Sequence, residues 1–273
     1  MAITTSAQPS ATQDTGNQPS LKFDYPTEIV KLPSKGLLYA LDSPLSSGEI
    51  EVKYLTAKEE DILSTQSYIA SGVVLDKVCE SIIVTKGVKY NDLLVGDKNA
   101  LLLAARMFGY GQEYATEVST SDGRKIPITV DLGEVPHKNF DETLVTKGEN
   151  NFKFTLPKSG IDIEFRLLTV GDQKRINADL KGIKKAGINK VEQNLTTRLR
   201  FMIHSVQGKT DSTTINRFVQ NMLAIDSRAL REYISQIQPD IDLNIDVEDP
   251  ETGANFRSDF RVGVDLLYPD FEG

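Results

Sequence analysis

Cysteine occurs once, at Cys79, and histidine twice, at His137 and His204. A single thiol excludes an intrachain disulfide and a cysteine-built metal site, and it suits synthesis in a reducing cytosol. The two histidines give no HExxH pair and no ligand spacing for zinc. No apolar run approaches the roughly 18 residues that a membrane-spanning helix needs. The opening MAITTSAQPSATQDTGNQPS has neither a basic start nor an apolar core, so it does not read as a signal peptide. Its Ser, Thr, Gln and Pro predict an arm over residues 1–20 that is disordered in isolation and can order against a neighbour. Positive charge is also in deficit. The net charge of -8 disfavours nucleic-acid binding, which rests on neutralising phosphates. The most basic stretch, Lys181 to Lys190, reads as a solvated helix end and loop. There is no GxxxxGK[ST] cradle, no GxGxxG and no GxSxG elbow. Nothing points to a Ser/His/Asp triad.

What is present is an ordinary globular composition, 39% hydrophobic and 26% charged over 273 residues, enough for one large domain or two smaller ones. Leu32-Pro33-Ser34-Lys35-Gly36 reads as a turn and Glu49 to Leu55 as a half-buried strand. Thr56 and Glu59 form a capping box for a helix carrying Ile62 and Leu63. After Ser71-Gly72, a second helix lines up Val74, Leu75, Val78, Cys79, Ile82 and Ile83. Cys79 lies in that stripe and reads as a core thiol. Asp97 is expected to cap a third helix, with Leu101, Leu102, Ala105 and Phe108 facing a core. That helix leaves through Tyr110-Gly111 into a hairpin closed at Gly123, whose second strand is KIPITVDL.

Much of this plan returns. Thr169 and Asp172 stand 113 residues after Thr56 and Glu59, and Asp226 stands 129 residues after Asp97. Asn151 to Leu168 reads as a hairpin. Helices are expected behind Asp172 (Ile176, Leu180, Ile183), through Leu195, Leu199, Met202, Ile203 and Val206, from Asp211 or Ser212, and from Asp226 to Pro239. His204 is placed at the edge of the second of these and His137 in an exposed loop. Ile241 to Val264 forms a closing hairpin around Gly253. The fold class expected is α+β, with about six or seven helices and short antiparallel hairpins in two related halves, an internal duplication. The division is residues 21–132, a connecting loop 133–150, and residues 151–273, with strand pairing left open.

Candidate contact residues follow from position. Arg106, Tyr110, Gly111 and Tyr114 meet at a helix exit, and Arg228 and Arg231 lie early in the last helix. They either pin a helix to its hairpin or to a neighbouring subunit, or are solvated arginines with buried stems. Gly123 and Gly253 are held by tight turns. Asp226 reads as a helix starter. Tyr268 and Phe271, in the terminal LLYPDF, suit docking to a partner or folding back on the chain's own core. No catalytic, cofactor-binding or metal-binding residue is expected.

LPSKGLLY at 32–39, YLTAKEEDIL at 54–63, LLVGDKNALLLAARMFGYGQEY at 93–114, FRLLTVGDQKRI at 165–176 and AIDSRALREYI at 224–234 occur in order. This ordered set resembles the T-even-type baseplate hub proteins of contractile-tailed bacteriophages and covers most of residues 30–273. The resemblance implies a non-enzymatic virion or assembly protein of the central tail baseplate, made in the host cytoplasm. Its partners would be other tail and baseplate proteins. A homo-oligomer within a symmetric baseplate is compatible with it, and nucleic acid and membrane are not implied. Hub subunit and transient hub-assembly chaperone both fit, and an enzyme of unrecognised type is the third alternative. Many relatives carry Cys-x-x-Cys-Gly at both hairpin turns. Here the matching positions are Ser119 and Asp122 before Gly123, and Asp249 and Thr252 before Gly253. With all four sulfurs absent, thiolate-zinc ligation is excluded there, and the turns are expected to be held by hydrogen bonds.

Overall fold

Each half of the chain begins with a ribbon whose turn starts Leu-Pro and ends in glycine. A computed structural model describes residues 25–120, 122–186, 194–260 and 264–267. The first ribbon pairs β1 (Thr27–Lys31) antiparallel with β2 (Glu49–Lys53). Alternation along β2 sends Ile50 and Val52 into the core. Helices α1 (Ala57–Ser64), α2 (Gln66–Ser71), α3 (Val74–Ile82) and α4 (Val95–Tyr110) follow, then the hairpin of β3 (Glu113–Ser119) and β4 (Lys125–Asp131).

The second ribbon pairs β5 (Phe152–Thr155) with β6 (Asp162–Phe165). After it come α5 (Val170–Ala186), α6 (Asn194–Met202), β7 (Ile203–Val206), α7 (Ser212–Asn221) and α8 (Ala224–Ile237). The hairpin of β8 (Asn244–Glu248) and β9 (Asn255–Asp259) and a 3-10 turn at Val264–Leu267 complete the described chain. The class is therefore α+β, with eight α-helices and small antiparallel sheets among the described residues.

Two departures from the sequence reading have physical causes. Extended Thr65 ends α1 and begins α2, so the helix expected behind the Thr56–Glu59 box is two. The helix expected through Val206 stops at Met202. Ile203 then pairs opposite Phe165 and Val206 opposite Ile163, making β7 the third strand beside β6. Both residues are β-branched and gain a partner strand there, which outweighs continuing the helix. His204 is thus a strand residue, not a helix-edge one. The basic stretch from Lys181 continues α5 to Ala186, beyond which it lies outside the described residues.

A short seam joins the two halves. Val95 N donates to Leu168 O at 3.2 Å and Val170 N donates to Leu93 O at 2.8 Å, so α4 and α5 start side by side. Gly96 is pressed against the exit of α8, where an added Cβ would lie 2.0 Å from Pro239 O. Residues 133–150 act as a strap between the halves. Lys138 N and Asp141 N donate to Asp240 O and Gln236 O, both at 2.8 Å, and Gly148 N donates to Leu37 O at 2.7 Å. One continuous apolar core runs from Val30 to Leu267 and includes residues of both halves.

Candidate functional site

The buried acids come first, because buried charge marks either chemistry or a structural clamp. Asp97 does not cap α4: the helix begins at Val95, and Asp97 is its third residue. Its carboxylate instead reaches the first ribbon's turn. It accepts from Ser34 N at 2.9 Å, Ser34 Oγ at 2.7 Å and the Tyr39 hydroxyl at 2.5 Å. Tyr39 Oη in turn accepts from Leu94 N at 2.8 Å. Burial pushes the Asp97 carboxyl up, and outweighs these bonds. Asp226 repeats the arrangement. It is the third residue of α8, not its cap, and accepts from Lys158 N at 2.8 Å and Ser159 N at 3.2 Å in the second ribbon's turn. The two turns read Leu32-Pro33-Ser34-Lys35-Gly36 and Leu156-Pro157-Lys158-Ser159-Gly160. That likeness was the available signal for Ser34, Lys158 and Ser159 as clamp partners, which the sequence reading missed.

A second pair of clamps sits at the starts of α1 and α5. Thr56 donates its N–H and its hydroxyl to Glu59 Oε2 at 3.0 and 2.6 Å, and Lys53 Nζ lies 2.7 Å from Oε1. Burial alone would raise the Glu59 carboxyl, but the bonds from Lys53 and Thr56 hold it at about 2. In the second half, Arg166 grips Asp172 with both guanidinium nitrogens at 2.6 and 2.7 Å, and Thr169 N donates at 3.0 Å. Burial opposes ionisation there too, and the Arg166 and Thr169 bonds win. Lys53, Thr56 and Glu59 are each 113 residues before Arg166, Thr169 and Asp172. Asp211 is a true cap, accepting from Thr214 N at 2.8 Å.

The structure brings Arg106, Tyr110, Gly111 and Tyr114 together. The Arg106 guanidinium donates to Gly111 O and Glu113 O, both at 3.1 Å, and lies 5.5 and 5.8 Å from the Tyr110 and Tyr114 ring centres. It is buried, so its contacts are internal: it ties the exit of α4 to the start of β3. Arg231 is elsewhere. It donates to Ser227 O at 3.3 Å and lines a cavity of about 160 Å³ with Leu94, Leu168, Leu199 and Pro239. Arg228 pairs on the surface with Glu232 at 2.8 Å. Tyr268 and Phe271 lie outside the described residues, while Leu266 and Leu267 just before them are fully buried.

The tips of the two late hairpins lie together. Val118 and Ile126 of one pack against Val247 of the other. Above them Arg124 reaches Asp122 in its own turn at 2.8 Å, and Asp249 and Glu251 in the other at 2.6 and 2.9 Å. The Arg124 bond holds the Asp249 carboxyl well below the usual carboxylate range. Gly123 and Gly253 close the turns at φ +85 and +68, the left-handed region where a side chain is strained. The donor set does not suit zinc: Ser119 and Thr252 offer hydroxyls, both aspartates are taken by a cation, and a guanidinium is not a ligand. Among the described residues no group of three or more His, Cys, Asp or Glu could hold a metal ion.

The family model described as T4 bacteriophage base plate protein matches residues 25–261. The chain belongs to that family. No curated protein and no solved structure matches it. The base plate match takes in both ribbons, all four acidic clamps and both hairpin tips, and it places the protein among bacteriophage baseplate components. A baseplate protein of this family meets other baseplate and tail proteins in the virion tail. Among the described residues of this base plate protein no helix is long and apolar enough to cross a membrane.

Proposed function

We propose that this base plate protein is a non-enzymatic structural component of the central hub of a contractile tail, acting through protein–protein contacts in tail assembly. The observation that carries the reading is how the ionisable groups are used. Glu59, Asp97, Asp172 and Asp226 are each bound by donors from the same chain, and Arg106 is spent on two backbone carbonyls. Cys79 is enclosed, and burial pushes its thiol up to about 12, far from a nucleophile's range. These groups make a rigid block whose outward faces are left for neighbours.

The two halves are products of one duplicated plan on this reading. The ribbon turns, the paired clamps at equal 113-residue separation and the third-residue aspartates of α4 and α8 support it. The arm over residues 1–20 and the terminal segment holding Tyr268 and Phe271 are the contact segments. The strap of residues 133–150 has its own bonds to both halves, so only its exposed side is offered. Mass spectrometry of purified virions tests the role. Stoichiometric recovery with the baseplate is expected for a retained subunit. Absence from mature particles, with presence in assembly intermediates, would replace it with the transient hub-assembly chaperone.

A further inference from the structure

The outer edges of β4 and β8 face one open cleft of about 780 Å³. Successive residues of each strand line it, and none of β3 or β9 does, so the cleft lies on the side of each strand away from its hairpin partner. The turns fix which backbone groups point there. Thr120 N donates to Arg124 O at 2.9 Å, which makes Val118–Ile126 and Thr116–Ile128 the hydrogen-bonded pairs of that ladder. The backbones of Lys125, Thr129 and Asp131 then point outward, as does Pro127, which has no N–H to offer. Asp249 N donates to Ala254 O at 2.9 Å and Phe260 N to Leu243 O at 3.2 Å. Both bonds set the same phase: Val247–Phe256 and Ile245–Ser258 are bonded pairs, and Asn244, Asp246 and Glu248 present their backbones to the cleft. The outward amides of Asp246 and Glu248 have no partner among the described residues.

The side chains around these edges are of one sign. Asp131, Glu134, Asp242, Asp246 and Glu248 line the cleft, and no lysine or arginine does. Arg257 reaches Asp242 at 3.3 Å, and among the described residues no cation pairs with the others.

We propose that the β8 edge, with β4 opposite, takes an extended, lysine- or arginine-bearing segment of a neighbouring protein as an added strand. Backbone bonds to Asp246 and Glu248, and to the carbonyl of Asn244, whose amide is held by Asp242 at 3.1 Å, supply the attachment, and the carboxylates select a basic sequence over an acidic one. Pro127 makes β8 the leading edge, because β4 is short of one donor. The proposal rests on the contact-making role given above for its statement that the neighbour is a protein.

Amide hydrogen exchange on the full chain tests it, with a short synthetic peptide of alternating lysine and valine as the probe. In the free protein the amides of Asp246 and Glu248 should exchange openly while those of Ile245 and Val247 are protected. The peptide should slow Asp246 and Glu248 by at least about tenfold, and its glutamate-for-lysine counterpart should not. Asp246→Pro removes an outward donor but no β8–β9 bond, so it should abolish the protection and leave Val247 slow. Unchanged exchange at saturating peptide, or equal protection in the proline variant, overturns the proposal. So does protection of Asp246 and Glu248 without peptide, which would mean that the chain itself or a second copy fills the cleft. Absence of the protein from virions would sink the hub-subunit role and leave the peptide result standing.

Discussion

At the scale of single residues, Arg124 shows what a fork of donors can do that a point charge cannot. It spans Asp122, Asp249 and Glu251 in two turns that are far apart in sequence. Arg124→Lys keeps the charge but not the fork, so it should leave the two hairpin tips as loosely joined as Arg124→Ala does. Nuclear Overhauser effects between Val118 and Val247 measure this: both variants should weaken them, and a chelator added to the parent should not. Glu59 gives a pH prediction. Its folded pKa, about 2, lies below its ordinary 4.5. The ionised carboxylate therefore stabilises the fold fully above about 4.5, and that contribution is lost as pH falls towards about 2. Denaturant titrations of Glu59→Gln should show a shallower loss of stability over that window than the parent. Asp97→Ala strands the Ser34 amide and hydroxyl in the core and should cost about 1–3 kcal/mol. The Glu59 clamp could be read from sequence because Thr56 is three residues away. The Asp97 clamp was missed: Ser34 is 63 residues distant, a helix-start aspartate has a local explanation that looks sufficient, and only the likeness of the two ribbon turns pointed to it.

Elements meet here at close quarters, and Gly96 is the tightest point. A methyl group there would run into Pro239 O and force α4 away from the end of α8. Gly96→Ala should therefore cost about 3 kcal/mol or more, and urea unfolding would register it as a lower midpoint at unchanged slope. The second ribbon, the body of α4 and both late hairpins were legible because their periodicity and turn glycines act within a few residues, whereas of the first ribbon only its turn and second strand could be read, since a long segment separates β1 from β2. The end of α6 was not. Ile203 and Val206 satisfy a helical stripe as well as a strand, and only the free edge of β6 decides between them. The same limit hid the meeting of the hairpin tips: each turn is a local event, but their packing through Val118, Ile126 and Val247 depends on how two distant elements are carried by the core.

Over the whole molecule the decisive feature is that no layer of solvent separates the halves. The seam at Leu93–Val95 and Leu168–Val170, the strap of residues 133–150 and one shared core make each half a wall of the other. Thermal unfolding should accordingly proceed as one transition, with far- and near-ultraviolet circular dichroism coinciding. Two separated transitions would show that the halves hold their structures alone. Leu266 and Leu267 carry a further consequence. They are fully buried and their turn packs on α4, near the far end of the sequence from the ribbon that α4 clamps. A ribosome delivers them long after α4. The nascent first half emerges with a bare greasy flank on α4, and that flank is covered only once they arrive.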